Sequence, residues 1–259
     1  MKLINWISRK IKKWTEPSLR LKIQKLPKQN IIGTDYGGYT VPEGLLHQEA
    51  ICYSVGAGED ISLDVEIANR YNPFIYIFDP TERAEKHFYK VKSDAAKGIQ
   101  TPLYKNYTYP TTPQTFQKII FEKIGLWIRT DTLKFFVPAK KEHVSHSLVN
   151  LQNTENYVEV PVSGLYELMK RFGHQEIDML KIDIEGSEFE VIEDILSKNI
   201  PIKYICLEYH RMGEKPIERI QESIDKLTSN DYICIAANKR TLVFAFLRKD
   251  IHRQLSLHV

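Results

Sequence analysis

Short apolar segments alternate with amphipathic segments from residue 51 to near the end of the chain. Seven segments have the β-branched and aromatic composition of buried strands: Ile51–Val55, Phe74–Phe78, Lys118–Phe121, Met179–Ile184, Tyr204–Glu208, Tyr232–Ala236 and Thr241–Leu247. Five segments between them show helical periodicity: Ile61–Tyr71, Arg83–Ala96, Val162–Phe172, Glu188–Leu196 and Ile217–Leu227. This alternation predicts an α/β fold with a mostly parallel sheet covered by helices. Only Ala237, Asn238, Lys239 and Arg240 separate the last two strands, which predicts an antiparallel hairpin.

Three other segments depart from this alternation. Residues 97–117 and 138–160 are rich in Thr, Pro, Tyr, His and Asn and lack periodicity, which predicts long loops. Residues 2–14 fit a helix with a narrow apolar stripe and basic residues opposite it. Residues 1–28 carry nine Lys/Arg and one Glu, a local charge of +8 in a chain of +3, so the remainder sums to −5. We therefore predict a basic amphipathic arm, residues 1–28, and one domain, residues 29–259.

Charge and composition narrow the class of function. A mildly acidic domain disfavours nucleic-acid binding, although the arm could contact a polyanion. No apolar run approaches the roughly 18 residues of a transmembrane helix or the about 7–15 of a signal-peptide core, so we expect a cytoplasmic protein. The arm is either a helix packed on its own domain or on a second subunit, or an interfacial helix on an anionic membrane. The three cysteines, Cys52, Cys206 and Cys234, lie in apolar runs and are expected to be buried free thiols.

A turn that contains two glycines follows the first strand. In Tyr53–Asp60 the strand leads into Gly56 and Gly58 and then a helix, and such glycines let backbone N–H groups approach a ligand closely. Ile61 stands where a GxGxxG motif has its third glycine, which argues against a dinucleotide with a pyrophosphate. The second strand ends in Asp79, at a spacing of roughly 20 residues that is typical of a ribose-binding carboxylate. Alternatively, the glycines form a plain tight turn and Asp79 caps the next helix.

Charged side chains cluster at the ends of two later strands. Asp183 ends one strand at the edge where ligands bind, and Lys181 lies two residues earlier on the same side. A lysine in an apolar run needs either an acidic partner or a function. Glu185 and Glu188 follow and could simply favour the positive N-terminus of the next helix. His210 emerges from the next strand and is a candidate general base near neutral pH.

These motifs together resemble the FkbM family of S-adenosylmethionine-dependent methyltransferases. The resemblance covers about Gly33 to His210, and its most specific segment is LKIDIEGSEFEVI, residues 180–192. Five further motifs occur in the family's order: GTDYGGY (33–39), YSVGAGEDIS (53–62), FDPT (78–81), HVSHSLVN (143–150) and LEYH (207–210). The resemblance implies a Rossmann-like class I methyltransferase fold, with a mostly parallel seven-stranded sheet, a C-terminal antiparallel hairpin and helices on both faces.

The resemblance also implies an activity, the O-methylation of a hydroxyl group with S-adenosylmethionine as methyl donor. The cofactor-binding residues that it implies are Ser54, Gly56, Ala57, Gly58, Glu59, Asp79, Pro80 and Thr81. Our catalytic candidates are Asp183, which would stand beside the reacting methyl group, with His210, Glu185 and Lys181. The candidate substrate contacts are His143, Ser145, His146 and Ser147. Ser54 stands where the family usually has an acid and Asp60 replaces a later glycine, so Glu59 or Asp60 would contact the cofactor amine.

Several hypotheses remain open for the activity. The leading one is a methyltransferase that acts on a cell-surface glycan or its precursor, brought by the arm to the inner face of the membrane. The alternatives are an O-methyltransferase of small natural products and a catalytically silent adapter, which the departure at Ser54 favours. We expect no metal site, although Asp183, Glu185 and Glu208 offer the hard oxygen ligands that suit Mg²⁺.

Overall fold

Residues 18–104, 106–136 and 157–257 are described by the computed structural model of this chain. The strands are β1 (Gln29–Ile32), β2 (Tyr39–Pro42), β3 (Ile51–Val55), β4 (Phe74–Phe78), β5 (Pro102–Tyr104), β6 (Tyr107–Thr108), β7 (Ile119–Glu122), β8 (Gly125–Trp127), β9 (Asp131–Phe136), β10 (Tyr157–Gly164), β11 (Ile177–Ile182), β12 (Ile202–Glu208), β13 (Tyr232–Asn238) and β14 (Val243–Arg248). The helices are α1 (Ser62–Tyr71), α2 (Glu82–Ala96), α3 (Leu165–Phe172), α4 (Glu188–Ser197), α5 (Pro216–Ser229) and α6 (Lys249–Leu257).

Seven strands form the central sheet in the order β13-β14-β12-β11-β3-β4-β7. The strands from β12 to β7 are parallel, and β14 is antiparallel to both of its neighbours. This topology confirms the predicted fold class, including the C-terminal hairpin. The register pairs Lys181 of β11 with Ser54 of β3 and Cys206 of β12, so these three strands end at the same edge of the sheet.

Two hydrophobic cores, one on each face of the sheet, hold the helices in place. Successive strand residues point to opposite faces, so Tyr53 and Leu180 belong to one core while Cys52 and Met179 belong to the other. The first core includes residues of α3, α4 and α5, and the second includes residues of α1 and α2 with α6 packed against it. Strands buried on both faces are apolar along their whole length, which explains why the sequence pattern located them.

The structure differs from the predicted elements at several places. Residues 162–164, predicted to be helical, end strand β10, which pairs with β8 and β9, and helix α3 begins only at Leu165. Val160 and Val162 are buried and alternate with the exposed Glu159 and Pro161, and this two-residue period is typical of a strand. The predicted loop 97–117 contains the short hairpin β5–β6, and the hairpin β1–β2 was not predicted. Most of the predicted loop 138–160 lies outside the described residues.

The described part of the predicted basic arm packs on the domain. Leu19 and Leu26 are 7% and 5% exposed, and each is part of one of the two hydrophobic cores. The backbone N–H of Gln24 donates to the carbonyl of Cys234 at 2.9 Å, and Lys239 Nζ donates to the carbonyl of Leu19 at 2.8 Å. The predicted helix 2–14 lies outside the described residues. Within them, no helix is long and apolar enough to cross a membrane, and the three cysteines are free and buried, as predicted.

Candidate active site

A cavity of about 550 Å³ opens at the carboxyl ends of β3, β4, β11 and β12. Ligands bind at this edge of parallel sheets because the loops that follow neighbouring strands converge there. The volume lies within the range of roughly 300–1,000 Å³ that is usual for small-molecule sites. Gly56 to Asp60, Asp79 to Thr81 and Asp183 to Glu185 are among the residues that line the cavity. The structure therefore brings three of the predicted motifs to one site.

The glycine turn after β3 packs directly against the end of β11. Gly56 has a φ of +78°, and a Cβ atom at this position would lie 1.7 Å from the carbonyl oxygen of Asp183. The N–H of Gly56 donates to the carbonyl of Phe78 at 3.0 Å. Gly58 also has a positive φ, +53°, but no atom of the described residues lies within 4 Å of its Cβ position. Only glycine fits at position 56, because both the backbone conformation and the neighbouring strand exclude a side chain.

The carboxylate of Asp79 links the turn after β4 to the glycine turn. Its Oδ2 accepts the N–H of Gly58 at 2.9 Å, while its Oδ1 accepts the N–H and the hydroxyl of Thr81 at 2.8 and 2.6 Å. Thr81, not Asp79, is the N-cap of α2, since its Oγ1 accepts the N–H of Ala84 at 3.3 Å. The alternative in which Asp79 caps that helix is therefore wrong, and its role toward a ribose stays a prediction.

Both acids proposed to replace Ser54 line the cavity and have partners in the protein. Asp60 accepts the hydroxyl of Thr34 at 2.7 Å and the N–H of Ser62 at 2.9 Å. Glu59 forms an ion pair with Arg83. Their carboxylates thus organise the start of α1 and the rim of the cavity before any ligand binds.

A third acid at this end of the cavity, Asp64, was missed by the sequence analysis. It lies in the first turn of α1, is 4% exposed and lines the cavity. Burial raises the pKa of Asp64 to about 6, and the charge of Lys181 and the hydroxyl of Ser54 partly oppose this rise. The sequence signal for this residue is an acid between the apolar Leu63 and Val65. An acid in the first turn of a helix also fits a helix-dipole role, so the signal does not point to the cavity.

Lys181 is buried and holds the end of β3 in place. Its Nζ donates to the carbonyls of Val55, at 3.2 Å, and of Gly56. It also lies 3.8 Å from Oδ2 of Asp183, and its side chain is only 9% exposed. The structure thus gives this lysine the acidic partner that an apolar run demands, and adds two backbone carbonyls.

Three carboxylates surround the imidazole of His210. Nδ1 lies 2.8 Å from Oε1 of Glu188, while Nε2 lies 3.3 Å from Oε2 of Glu185 and 3.9 Å from Oδ1 of Asp183. Burial alone would lower the pKa of His210, but the hydrogen bond and charge of Glu188, with the charges of the other two acids, raise it to about 9. The imidazole is therefore protonated at neutral pH, which favours a charge-stabilising role over the base role predicted from sequence. Ligand atoms of Asp183, Glu185 and His210 lie within 4.8 Å of one another, so these side chains could also hold a metal ion.

Glu188 is fully buried and contacts this cluster from the interior of the protein. Its Oε1 also accepts the N–H groups of Gly186 at 3.0 Å and Ile184 at 3.3 Å. The turn that it holds places Glu185 at a φ of +54°. The sequence predicts only a helix-dipole role for Glu188, because nothing in the local pattern shows that His210 packs beside it.

Glu208 at the end of β12 lies next to Asp183. The register pairs Ile182 with Leu207, which places the two acids side by side at the edge of the sheet, and both line the cavity. Burial, followed by the negative charge of Asp183, raises the pKa of Glu208 to about 7. The sequence indicates Glu208 only as a possible metal ligand, and it favours His210 of the same motif as the base. The candidate substrate contacts His143, Ser145, His146 and Ser147 lie outside the described residues.

We predict that Gly56→Ala destabilises the protein far more than a matched glycine replacement. Gly98→Ala is the control, because Gly98 also has a positive φ, +71°, while no described atom lies within 4 Å of its Cβ position. The control should lower the free energy of unfolding by about 1–2 kcal/mol, the cost of a left-handed alanine. Gly56→Ala should cost about 4 kcal/mol or more, or fail to fold. Equal costs in urea titrations would show that β11 does not press against the turn.

We predict a pH-dependent contribution of His210 to stability. Its folded pKa of about 9 lies above the usual 6.5, so its stabilisation is complete below pH 6.5 and is lost as the pH rises through 9. Relative to His210→Gln, the wild-type protein should lose about 3 kcal/mol of unfolding free energy between pH 6.5 and 9. Parallel stability curves for the two proteins across this interval would contradict the ionic cluster.

The family model of the methyltransferase FkbM domain matches residues 47–234, almost three quarters of the chain. Among curated proteins, no match is found. A solved structure of methyltransferase FkbM from Methylobacillus flagellatus KT is 15% identical, with a TM-score of 0.49, over 79% of this chain and 45% of that one. This chain therefore spans less than half the length of that protein.

Two further solved structures are similar. A putative rRNA-methylase from Clostridium thermocellum is 8% identical, with a TM-score of 0.44, over 78% of this chain and 88% of that one. The fibrillarin pre-rRNA processing protein of Methanococcus jannaschii is 10% identical, with a TM-score of 0.42, over 89% of this chain and 87% of that one. On the match to its domain model, which confirms the resemblance of the motifs, this chain belongs to the FkbM family of methyltransferases, whose cofactor is S-adenosylmethionine.

Proposed function

We propose that this protein methylates a hydroxyl oxygen of a sugar, a glycan or a glycan precursor. The observation that carries the proposal is a cluster of proton-accepting side chains that faces the glycine turn within one cavity. Asp183, Glu185 and Glu208 line the same cavity as Gly56 and Gly58. A methyl donor held at the turn and a hydroxyl held by the acids would be adjacent in this arrangement.

The residues around the glycine turn fit S-adenosylmethionine. The bare backbone at Gly58 leaves room for a ligand after β3, because a Cβ there would meet no described atom within 4 Å, while Gly56 lets the turn pack against β11. Asp79 at the end of β4 would hold the ribose hydroxyls, and the carboxylates of Glu59, Asp60 and Asp64 favour a cationic amine. When bound, the cofactor supplies a strongly electrophilic methyl group, so alignment provides much of the rate enhancement.

The remaining task of the protein is to remove the proton of the acceptor hydroxyl. Asp183 is the candidate base, since its side chain is 31% exposed and lies at the cavity wall. Lys181 and His210 contact its two oxygens at 3.8 and 3.9 Å, which orients the carboxylate toward the cavity. Glu208 beside it, with a pKa of about 7, is a second acceptor that can share this proton near neutral pH.

We predict that Asp183→Asn lowers methyl transfer by about 10²-fold or more, as expected for loss of a general base. Folding and cofactor affinity should be preserved, because asparagine keeps the shape of the side chain and the carbonyl of residue 183 that packs on Gly56. The measurement is transfer of labelled methyl groups, with cofactor affinity determined by calorimetry. Asp250→Asn, at the protein surface, is the control, and its methyl transfer and cofactor affinity should equal those of the wild type.

Two results would contradict this role of Asp183. Full activity of Asp183→Asn would exclude it as the base, and loss of folding would make it structural. Repeating the assay after dialysis against EDTA separates proton removal from metal assistance. If EDTA abolishes the wild-type activity, Mn²⁺ or Mg²⁺ restores it, and Asp183→Asn binds that metal more weakly than the wild type, Asp183 acts as a metal ligand instead.

The choice among the alternative functions needs a direct search for the acceptor. Incubation with labelled S-adenosylmethionine and fractionated cell-envelope sugars and lipids should label a glycan fraction. Labelling of small natural products alone would favour the alternative enzyme. If calorimetry detects no cofactor binding at all, the adapter hypothesis replaces both enzymes, since the fold would then be kept without its reaction.

We also propose that the protein works in the cytoplasm and reaches the inner face of the membrane through its N-terminal arm. Residues 1–17 carry five Lys/Arg and one Glu, and the apolar stripe of residues 2–14 lies within them. Basic residues near an anionic surface contribute about 1 kcal/mol each. Because Leu19 and Leu26 belong to the hydrophobic cores, a deletion that tests the arm should end at residue 17.

We predict that the full chain sediments with anionic vesicles at low salt, while the variant lacking residues 1–17 stays in the supernatant. Binding should fall steeply as salt is added, because much of the attraction is electrostatic. Vesicles of neutral lipid are the control and should bind neither protein strongly. Equal binding of both proteins to anionic vesicles, or binding of neither, would show that the arm has another role.

A further inference from the structure

Two exposed tyrosine rings meet at the mouth of the cavity. Tyr36 lies in the turn between β1 and β2 and is 81% exposed, and Tyr104 ends β5 and is 47% exposed. Their ring centroids are 6.2 Å apart, with 76° between the ring planes. Both residues line the cavity, although they come from different hairpins. Aromatic surface left in water at the edge of a cavity is available to a ligand and contributes little to the core.

The pair extends from the glycine turn to the acids of the proposed transfer site. Tyr36 lines the same cavity as Asp183 and Glu208 at the ends of β11 and β12, and partial desolvation together with the charges of these acids raises the pKa of Tyr36. Tyr104 contacts Tyr36 and lines the cavity together with Asp60, and burial and the charge of that acid raise the pKa of Tyr104 to about 12. A ligand seated on the two rings would lie in the cavity that contains the proposed base.

The turn that presents Tyr36 is fixed to the rim of the cavity. Thr34 donates its hydroxyl to Asp60 at 2.7 Å and accepts the N–H of Gly37 at 2.9 Å, and its own N–H donates to Ser62 Oγ at 3.0 Å. A Cβ at Gly37 would lie 2.8 Å from Asp60, and one at Gly38 would lie 2.4 Å from a backbone carbonyl. The turn thus packs closely on α1, so the backbone at Tyr36 is held in position before a ligand binds.

The chemistry around the rings selects for an uncharged, hydroxylated ligand. The electron-rich face of a tyrosine packs favourably against polarised C–H groups, such as those on one face of a sugar ring. Carboxylates accept hydrogen bonds from hydroxyl groups and repel phosphate and carboxylate groups. Asp183, Glu185 and Glu208 supply such carboxylates at one end of the cavity, and Asp60 supplies one at the other. The cations that also line the cavity, Arg83, Lys90 and Lys181, are each paired with an acid, so the carboxylates remain in excess.

We propose that Tyr36 and Tyr104 form the acceptor platform of this enzyme and that they select an uncharged sugar ring, its hydroxyls directed at Asp183 and Glu208. This inference rests on the proposed function and narrows the acceptor class to neutral glycosyl units. Sugar phosphates and uronic acids would be poor acceptors, because their charge would face the acids of the cavity. The hairpin β1–β2 then provides substrate selection from outside the segment that matches the family model.

The first experiment compares matched acceptors with the full-length protein and saturating S-adenosylmethionine. The panel pairs methyl glycosides of neutral hexoses with the corresponding uronates and 6-phosphates, adds 6-deoxyhexosides as further neutral acceptors, and measures the release of S-adenosylhomocysteine. We expect neutral acceptors to react at least tenfold faster than their charged partners. As a binding measurement independent of turnover, saturation-transfer NMR should show the same neutral sugars in contact with the protein loaded with S-adenosylhomocysteine.

The second experiment tests the rings with a matched set of variants. Tyr36→Ala should raise the acceptor KM at least tenfold, with kcat within about threefold and cofactor affinity unchanged. Tyr36→Phe should behave like the wild type, because the ring face is kept. Tyr104→Ala should show the same KM effect to a smaller degree. Tyr166→Ala, which removes a ring that is 56% exposed on α3 and does not line the cavity, should change nothing.

Four outcomes would overturn the platform. In the first experiment they are a faster reaction of charged acceptors, and the absence of both reaction and NMR contact with every neutral sugar. In the second they are an unchanged acceptor KM in Tyr36→Ala, and a loss of cofactor affinity in that variant as large as the rise in its acceptor KM. The last outcome would assign the ring to the cofactor. Methyl transfer that does not depend on Tyr36 removes only this inference, whereas absence of cofactor binding and of all methyl transfer removes the proposed function itself.

Discussion

The buried ammonium group of Lys181 bridges the ends of β3 and β11, and the geometry of the site depends on these contacts. Taking a charge out of water costs several kcal/mol unless partners compensate it. Here the partners are the carbonyls of Val55 and Gly56 and the carboxylate of Asp183. They lie on both sides of the seam between β3 and β11, so the lysine can satisfy its charge only when the two strand ends are in register.

The contacts of Lys181 fix the position of the glycine turn, on the cofactor side of the cavity, relative to the acids on the acceptor side. The close contact of Gly56 with the carbonyl of Asp183 brings the glycine turn against the end of β11. The same residue, Asp183, directs its carboxylate into the cavity, where Glu208 and Glu185 surround it. Any movement of the turn away from β11 would therefore change both the cofactor side and the acceptor side. Preorganisation of this kind is what a reaction controlled by alignment requires.

The sheet was predictable from the sequence because its central strands are buried on both faces and form continuous apolar runs. The positions of Gly56, Asp79 and Asp183 were predictable as well, since parallel strands end at one edge. The other acids that complete the site were not predictable. Glu188 and Asp64 look like ordinary acids of a first helical turn, and only the packing of α4 and α1 shows that one holds His210 and the other lies in the cavity. Pairings across distant segments leave no trace in local periodicity.

The charges of the site complement the chemistry that the family performs. Asp183, Glu185 and Glu188 outnumber His210 and Lys181, so the cluster carries a net negative charge at neutral pH even with the imidazole protonated. A negative cavity favours a cationic donor over its neutral product and stabilises a proton that leaves the acceptor. The same field would repel an anionic acceptor, so the charge that favours the donor also restricts the substrate. The aromatic pair at the mouth then provides attraction that does not depend on charge, which is what an uncharged acceptor needs in such a site.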